Sequence, residues 1–188
     1  MNKKASCYCI LFIILVLGGV AVLIAWAVDK PKNPTFFINQ ASINDFNLNS
    51  DNRLNATFTL VVQSHNRDPK YTINYNYIMV AIFHDTSTLA YVPNVGPYKQ
   101  DHGEDLIFTV QPLSRNFKIS ESDVAADLRN EMKSGQLNFE VRIRAYVKFQ
   151  VKGWKRKRYT LGIVCAPLLI NLASMKTFEG TDCSVDRF

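Results

Sequence analysis

Val141-Arg142-Ile143-Arg144-Ala145-Tyr146-Val147-Lys148-Phe149-Gln150-Val151 alternates apolar and polar side chains, with Tyr146 the one ambiguous member. A period of two puts Val141, Ile143, Ala145, Val147, Phe149 and Val151 on one face of a β-strand, whereas a helix would scatter them around its circumference. Lys152-Gly153-Trp154 turns the chain, and Tyr159, Leu161, Ile163 and Cys165 resume the alternation. The two segments predict a hairpin with one core face. Outward from it, runs rich in branched and aromatic residues predict strands at about 35–46, 54–65, 71–84, 88–92, 105–112, 137–151 and 157–166. Polar clusters separate them: Asn49-Ser50-Asp51-Asn52, Asn66-Arg67-Asp68-Pro69 and His84-Asp85-Thr86-Ser87. Seven short strands with turn signals between them predict an all-β sandwich.

One segment departs from this rhythm. Between Ser120 and Ser134, Val124, Leu128 and Met132 recur every four residues, which predicts an amphipathic helix. Ser120 is placed to cap its start, with Glu121 and Asp123 suiting the positive end of its dipole, and Gly135 to end it.

The 188 residues are 47% hydrophobic and 12% aromatic, enough for one ordinary core and too apolar for a disordered chain. Much of that apolar content lies in residues 10–28, which carry no charge. Nineteen helical residues rise close to the ~30 Å of a bilayer core, which predicts a transmembrane helix acting as a signal anchor. A cleaved secretory signal ending near Ala25-Trp26-Ala27 is the alternative. Either reading exports the remainder of the chain. The expected organisation is a cytosolic tail (1–9), the span (10–28), a stalk (29–34) stiffened by Pro31 and Pro34, and a domain over 35–188 outside the cytosol.

Four cysteines divide accordingly. Cys7 and Cys9, at the mouth of the span, are candidates for S-acylation or remain plain thiols. Cys165 and Cys183 are expected to form a disulfide in an oxidising compartment, worth about 3 kcal/mol by loop entropy. Asn55-Ala56-Thr57 is an acceptor sequon, used or unused, and marks Asn55 for glycosylation.

The net charge of +6 is a local property. Arg142, Arg144, Lys148, Lys152, Lys155, Arg156, Lys157 and Arg158 supply more than all of it, so a nucleic acid partner is not expected. His65, His84 and His102 fall at strand ends or in loops, and the sequence holds no phosphate-binding glycine loop, zinc-ligand spacing or nucleophile elbow. No enzyme, cofactor or metal is expected. Arg142, Arg144, Lys148, Arg156 and Arg158 share the polar face of the hairpin, where like charges repel. The face is either simply solvated or a landing surface for an acidic polymer, with Tyr146 beside it to stack on sugar rings.

Several stretches resemble the plant non-race-specific disease resistance and harpin-induced-like family. Asn66-Arg67-Asp68 leading to Asn74-Tyr75-Asn76 is similar to the family's Asn-Pro-Asn turn and Tyr-Tyr-Asp. Pro97-Tyr98-Lys99-Gln100-Asp101-His102 is similar to its Pro-Phe-Tyr-Gln-Gly-His segment. Gly153-Trp154, the strand Tyr159 to Cys165 with Pro167 after it, and the stretch from Cys183 to Asp186 match further. The resemblance implies a late embryogenesis abundant group-two domain with a fibronectin-III-like or immunoglobulin-like sandwich. It also implies a non-enzymatic binding or adaptor role in plant defence or stress response at the plasma membrane, with protein partners or an acidic cell-wall polysaccharide. A structural, stress-protective domain that stabilises membranes or binds apolar ligands is the alternative.

Overall fold

In the computed structural model, residues 3–28, 30–151, 156–172 and 178–188 are described. Contacts divide the chain into residues 1–32 and 33–188. The first unit contains the helix α1, Lys3–Val28. Its described side chains, residues 11–23, are all exposed. Among the described residues no helix is long and apolar enough to cross a membrane. The helix expected over residues 10–28 is present within α1. The side chains of Cys7, Cys9 and Ala25-Trp26-Ala27, and the stalk residue Asp29, lie outside the described residues.

The second unit is built of β1 (Thr35–Leu48), β2 (Arg53–His65), β3 (Thr72–His84), β4 (Ser87–Val92), β5 (Tyr98–Gln100), β6 (Asp105–Val110), β7 (Leu113–Lys118), α2 (Ser122–Ser134), β8 (Gln136–Gln150), β9 (Arg156–Asn171) and β10 (Thr181–Arg187). Among the described residues ten strands replace the expected seven. The run expected over 105–112 ends early, and β7 begins anew after Pro112, which cannot donate to a ladder. Beyond the last expected strand, Thr181–Arg187 form a further one, β10. β9 runs past its expected end at 166: Ala166 and Pro167 bulge opposite Glu140, so pairing resumes at Leu168 with Phe139.

The strand pairings close on themselves in the order β1, β10, β9, β8, β3, β4, β7, β2 and back to β1, with β5 beside β3 and β6 beside β2. Two seams are thin: Tyr91 with Leu113 between β4 and β7, and Phe36–Ile38 against Thr181–Cys183 between β1 and β10. The ring is thus two layers sharing one core. Phe58 of β2 meets Phe139 of β8 edge-on at 5.4 Å, and Phe36 of β1 meets Tyr75 of β3 at 6.4 Å. Every second residue of β8 is buried, from Leu137 to Phe149, as the alternation requires. Burying each such Val, Ile or Phe contributes about 1.5–3 kcal/mol.

In α2, Val124, Ala125 and Leu128 face inward, and Gly135 ends the helix in the left-handed region, its N–H donating to the Met132 carbonyl. Ser120 is not its cap. Glu121 holds that position without a side-chain capping bond, because its carboxylate accepts a 2.5 Å hydrogen bond from Ser87 Oγ instead.

The two stretches that carried the resemblance at 66–76 and 97–102 meet in a buried polar knot. Asn66 Nδ2 donates to the carbonyls of Tyr71 (2.8 Å) and Asp101 (3.1 Å), while Asp68 Oδ1 accepts from the backbone of Lys70 and Tyr71. Gln100 Nε2 donates to the carbonyls of Ser64 (2.7 Å) and Glu104 (2.8 Å); its Oε1 accepts from Tyr75 (2.9 Å) and Ser64 (3.3 Å). These residues fasten β2 to β3 and β5, with which it shares no ladder, since buried polar groups must find partners.

Candidate functional site

The outward face of the layer containing β8 is ordered in rows by strand register. Lys99, Asn74, Lys148 and Arg158 form one row across β5, β3, β8 and β9. Tyr77, Tyr146 and Thr160 form the next, and Phe188 extends it by two backbone hydrogen bonds with Thr160. Met79, Arg144, Gly162 and Asp186 form the third, and Ala81, Arg142, Val164 and Ser184 the fourth. Neighbours within a row stand about 4.8 Å apart, and rows about 6.8 Å apart.

The five expected basic residues are not equivalent. Arg142 is neutralised by Glu140, which accepts from its Nε, and its guanidinium lies 4.1 Å from the centre of the Phe83 ring. Among the described residues no carboxylate pairs with Arg144, Lys148 or Arg158. Lys148 and Arg158 stand directly opposite each other, an arrangement that costs stability. Arg156 pairs with Gln150 through the backbone, but its side chain lies outside the described residues, as do Lys152, Gly153, Trp154 and Lys155. Lys99 is held by Asp101 at 3.0 Å. That bond and one from Thr72 hold the Asp101 carboxyl below the usual carboxylate range.

Aromatic groups occupy the space between these charges. The Tyr77 and Tyr146 rings are 5.6 Å apart, and Tyr146 is 46% exposed. Phe188 is 79% exposed although its ring reaches across β9: a Cβ at Gly162 would fall 2.9 Å from its Cε2. An open groove of about 220 Å³ runs between Tyr146 and Phe188, lined also by Asn76, Lys148, Arg158 and Thr160. Tyr146 was legible in sequence; Phe188, Gly162 and Tyr77 were not, because only the register of β10 against β9 brings them together.

Cys165 and Cys183 form the disulfide, opposite each other in the β9–β10 ladder. Asn55 is exposed on β2, its Oδ1 accepting from the Asn116 N–H at 2.8 Å. His65 Nδ1 lies 2.8 Å from Asp105 Oδ1 across an exposed strand pair. His84 is buried: its Nδ1 donates to the Asn138 carbonyl at 2.9 Å, and its Nε2 has no hydrogen-bond partner among the described residues. It borders an open depression of about 540 Å³ with Asp127, Glu131 and Pro167. Among the described residues no cluster of three His, Cys, Asp or Glu could hold a metal ion. Burial pushes the Tyr75 phenol far above its ordinary value, against the smaller opposing effect of its Ser64 hydrogen bond.

No family model matches the chain. An uncharacterized protein of Arabidopsis thaliana is 31% identical over 88% of this chain and 76% of its own length. NDR1/HIN1-like protein 3 of the same plant is 23% identical over 94% and 78% respectively, and NDR1/HIN1-like protein 12 is 26% identical over 86% and 75%. Among solved structures, a protein from Archaeoglobus fulgidus aligns at a TM-score of 0.34 and 8% identity over 80% of this chain and 95% of that one, too distant to add to the fold.

Proposed function

The chain belongs to the NDR1/HIN1-like family, and from that premise we propose that it is a membrane-anchored, non-enzymatic binding protein of plant defence or stress response. The disulfide-bonded β unit faces the extracytosolic side of the plasma membrane and engages an acidic partner of the cell wall through the outward face of β8 and β9. The observation that carries this reading is the set Arg144, Lys148 and Arg158, exposed or half-exposed on one sheet face without compensating carboxylates among the described residues. A sheet that served only as a scaffold would be more stable with opposite charges at Lys148 and Arg158. The disulfide supports an oxidising compartment, and the apolar sequence of α1 supports an anchor.

Exposed ionic contacts are worth about 0–1 kcal/mol each, so affinity arises from several acting together and weakens as salt shortens the screening length below ~8 Å. The test is retention of the detergent-solubilised chain on immobilised polygalacturonate across a salt series. Comparison is with a variant carrying Arg144→Gln, Lys148→Gln and Arg158→Gln. Retention by the native chain that falls with salt and is lost in the variant is expected. Equal retention of the two proteins would refute the reading. Resistance of the native protein to alkaline carbonate extraction, with its N-terminal residues retained, checks the anchor separately.

A further inference from the structure

We propose that Tyr77, Tyr146 and Phe188 form a stacking platform for pyranose rings, so that this face selects a polysaccharide built of carboxylate-bearing sugars over other polyanions. The proposal rests on the charged face described above and specifies its ligand.

A uronic acid ring has two kinds of surface. Its C–H groups make an apolar face, and its carboxylate and hydroxyls project from the rim. The protein presents the complement of both. The aromatic row lies between the Lys148 and Arg158 pair on one side and Arg144 on the other, each about 6.8 Å away along the strand. A ring stacked on Tyr146 or Phe188 therefore has a cation within reach of its rim in either direction along β8. The Asn76 amide and Thr160 hydroxyl line the same groove and are suited to sugar hydroxyls.

The placement of Phe188 is the most informative detail. A phenyl ring left 79% exposed forgoes most of the stabilisation that burial would give it. Yet the ring lies against the sheet: a Cβ at residue 162 would fall 2.9 Å from its Cε2, so any side chain there would push the ring aside. One side of the ring is thereby supported by the sheet and the rest faces outward. Aromatic rings braced in this way supply a stacking surface that is already ordered before a ligand arrives. A flexible polyanion without apolar ring faces would use the cations and gain nothing from the platform. An anionic lipid surface would be met better by apolar side chains projecting from the protein than by rings laid along a sheet.

The experiment measures binding of the detergent-solubilised full chain to polygalacturonate, to polyglutamate of matched charge, and to vesicles containing phosphatidylserine. The variants are Tyr146→Ala, Phe188→Ala, and Gly162→Val, which displaces the Phe188 ring without changing any charge. Loss of stacking at one ring is expected to weaken polygalacturonate binding about tenfold. Polyglutamate binding should stay unchanged, and Phe188→Trp should restore polygalacturonate binding. A native urea midpoint in each variant shows that the sheet is intact. Equal weakening on both polymers, no weakening on either, or loss of vesicle binding on the same ring substitutions would overturn the proposal. If the charge-neutralised triple variant loses retention while the ring variants keep it, the platform fails and the charged face stands; retention by the triple variant removes both.

Discussion

Replacing Gln100 by Leu tests whether the stretch 97–102 holds the fold together or binds something. Gln100 is fully buried and makes four hydrogen bonds, two donated to the Ser64 and Glu104 carbonyls and two accepted from the Tyr75 and Ser64 hydroxyls. Each such bond contributes about 0.5–1.5 kcal/mol net, and a buried group left unpaired costs more. Leucine keeps most of the volume, so the cavity contribution is small. Of the Tyr75 and Ser64 hydroxyls, 3.0 Å apart, one still donates to the other, and the Glu104 carbonyl still accepts from the Asn66 N–H. The expected loss is therefore about 3 kcal/mol. In a urea titration followed by circular dichroism under non-reducing conditions, with m of about 1–3 kcal/mol/M, the midpoint should fall by about 1–3 M at constant m. Tyr75→Phe, which removes one hydroxyl, should cost about 1 kcal/mol. The double variant should lose less than the two together, because both remove the same bond. A Gln100→Leu loss below about 1 kcal/mol, or full additivity, would refute the view that this motif is a structural clamp.

Three further outcomes are expected. Because burial raises the folded Tyr75 pKa above its unfolded value near 10, the folded chain holds its proton longer than the unfolded one. Its contribution is full below that unfolded value and declines as pH rises through the folded pKa, so Tyr75→Phe should flatten the alkaline fall in stability, measured by urea midpoints from about pH 9 upward. Replacing Cys165 and Cys183 together by Ala should cost about 3 kcal/mol, and a non-reducing peptide map of the native protein should show the two joined. Asn55 should carry a glycan when the chain is expressed through a plant secretory pathway, and an unchanged gel mobility on Asn55→Gln would count against it.

The parts of the fold that were legible in sequence are those where one face meets the core and the other meets water. β8 shows this most clearly, since its buried Val141, Ile143 and Val147 alternate with exposed Arg142, Arg144 and Tyr146. β10 was hidden because its inward positions, Thr181, Cys183, Val185 and Arg187, are only half-buried, so no apolar period marks it. β7 was hidden because its one buried residue is Ser114, which donates to the Leu89 carbonyl. The cap of α2 was misplaced by one residue because Ser87, distant in sequence, engages Glu121. At the candidate site, the charges and Tyr146 follow from the alternation of a single strand. The Phe188 platform depends on a pairing between strands that the sequence alone does not specify, and Arg142 is compensated by its own-strand neighbour Glu140, a pairing two residues away that charge counting over the hairpin passes over.

The seam between β1 and β10 has a mechanical meaning. Asn33, where the chain enters the β unit, donates to the Val185 carbonyl and accepts from Arg187 Nε at 2.8 Å, so the point of entry is fastened to β10. The Cys165–Cys183 bond in turn welds β10 to β9, the strand that carries Arg158 and the Gly162 seat of Phe188. Tension applied between the entry point and a polymer held on that face runs through hydrogen bonds into one covalent link and out again. It never crosses the single residue pair, Tyr91 with Leu113, that closes the other side of the ring. The load path bypasses the joint held by a single residue pair.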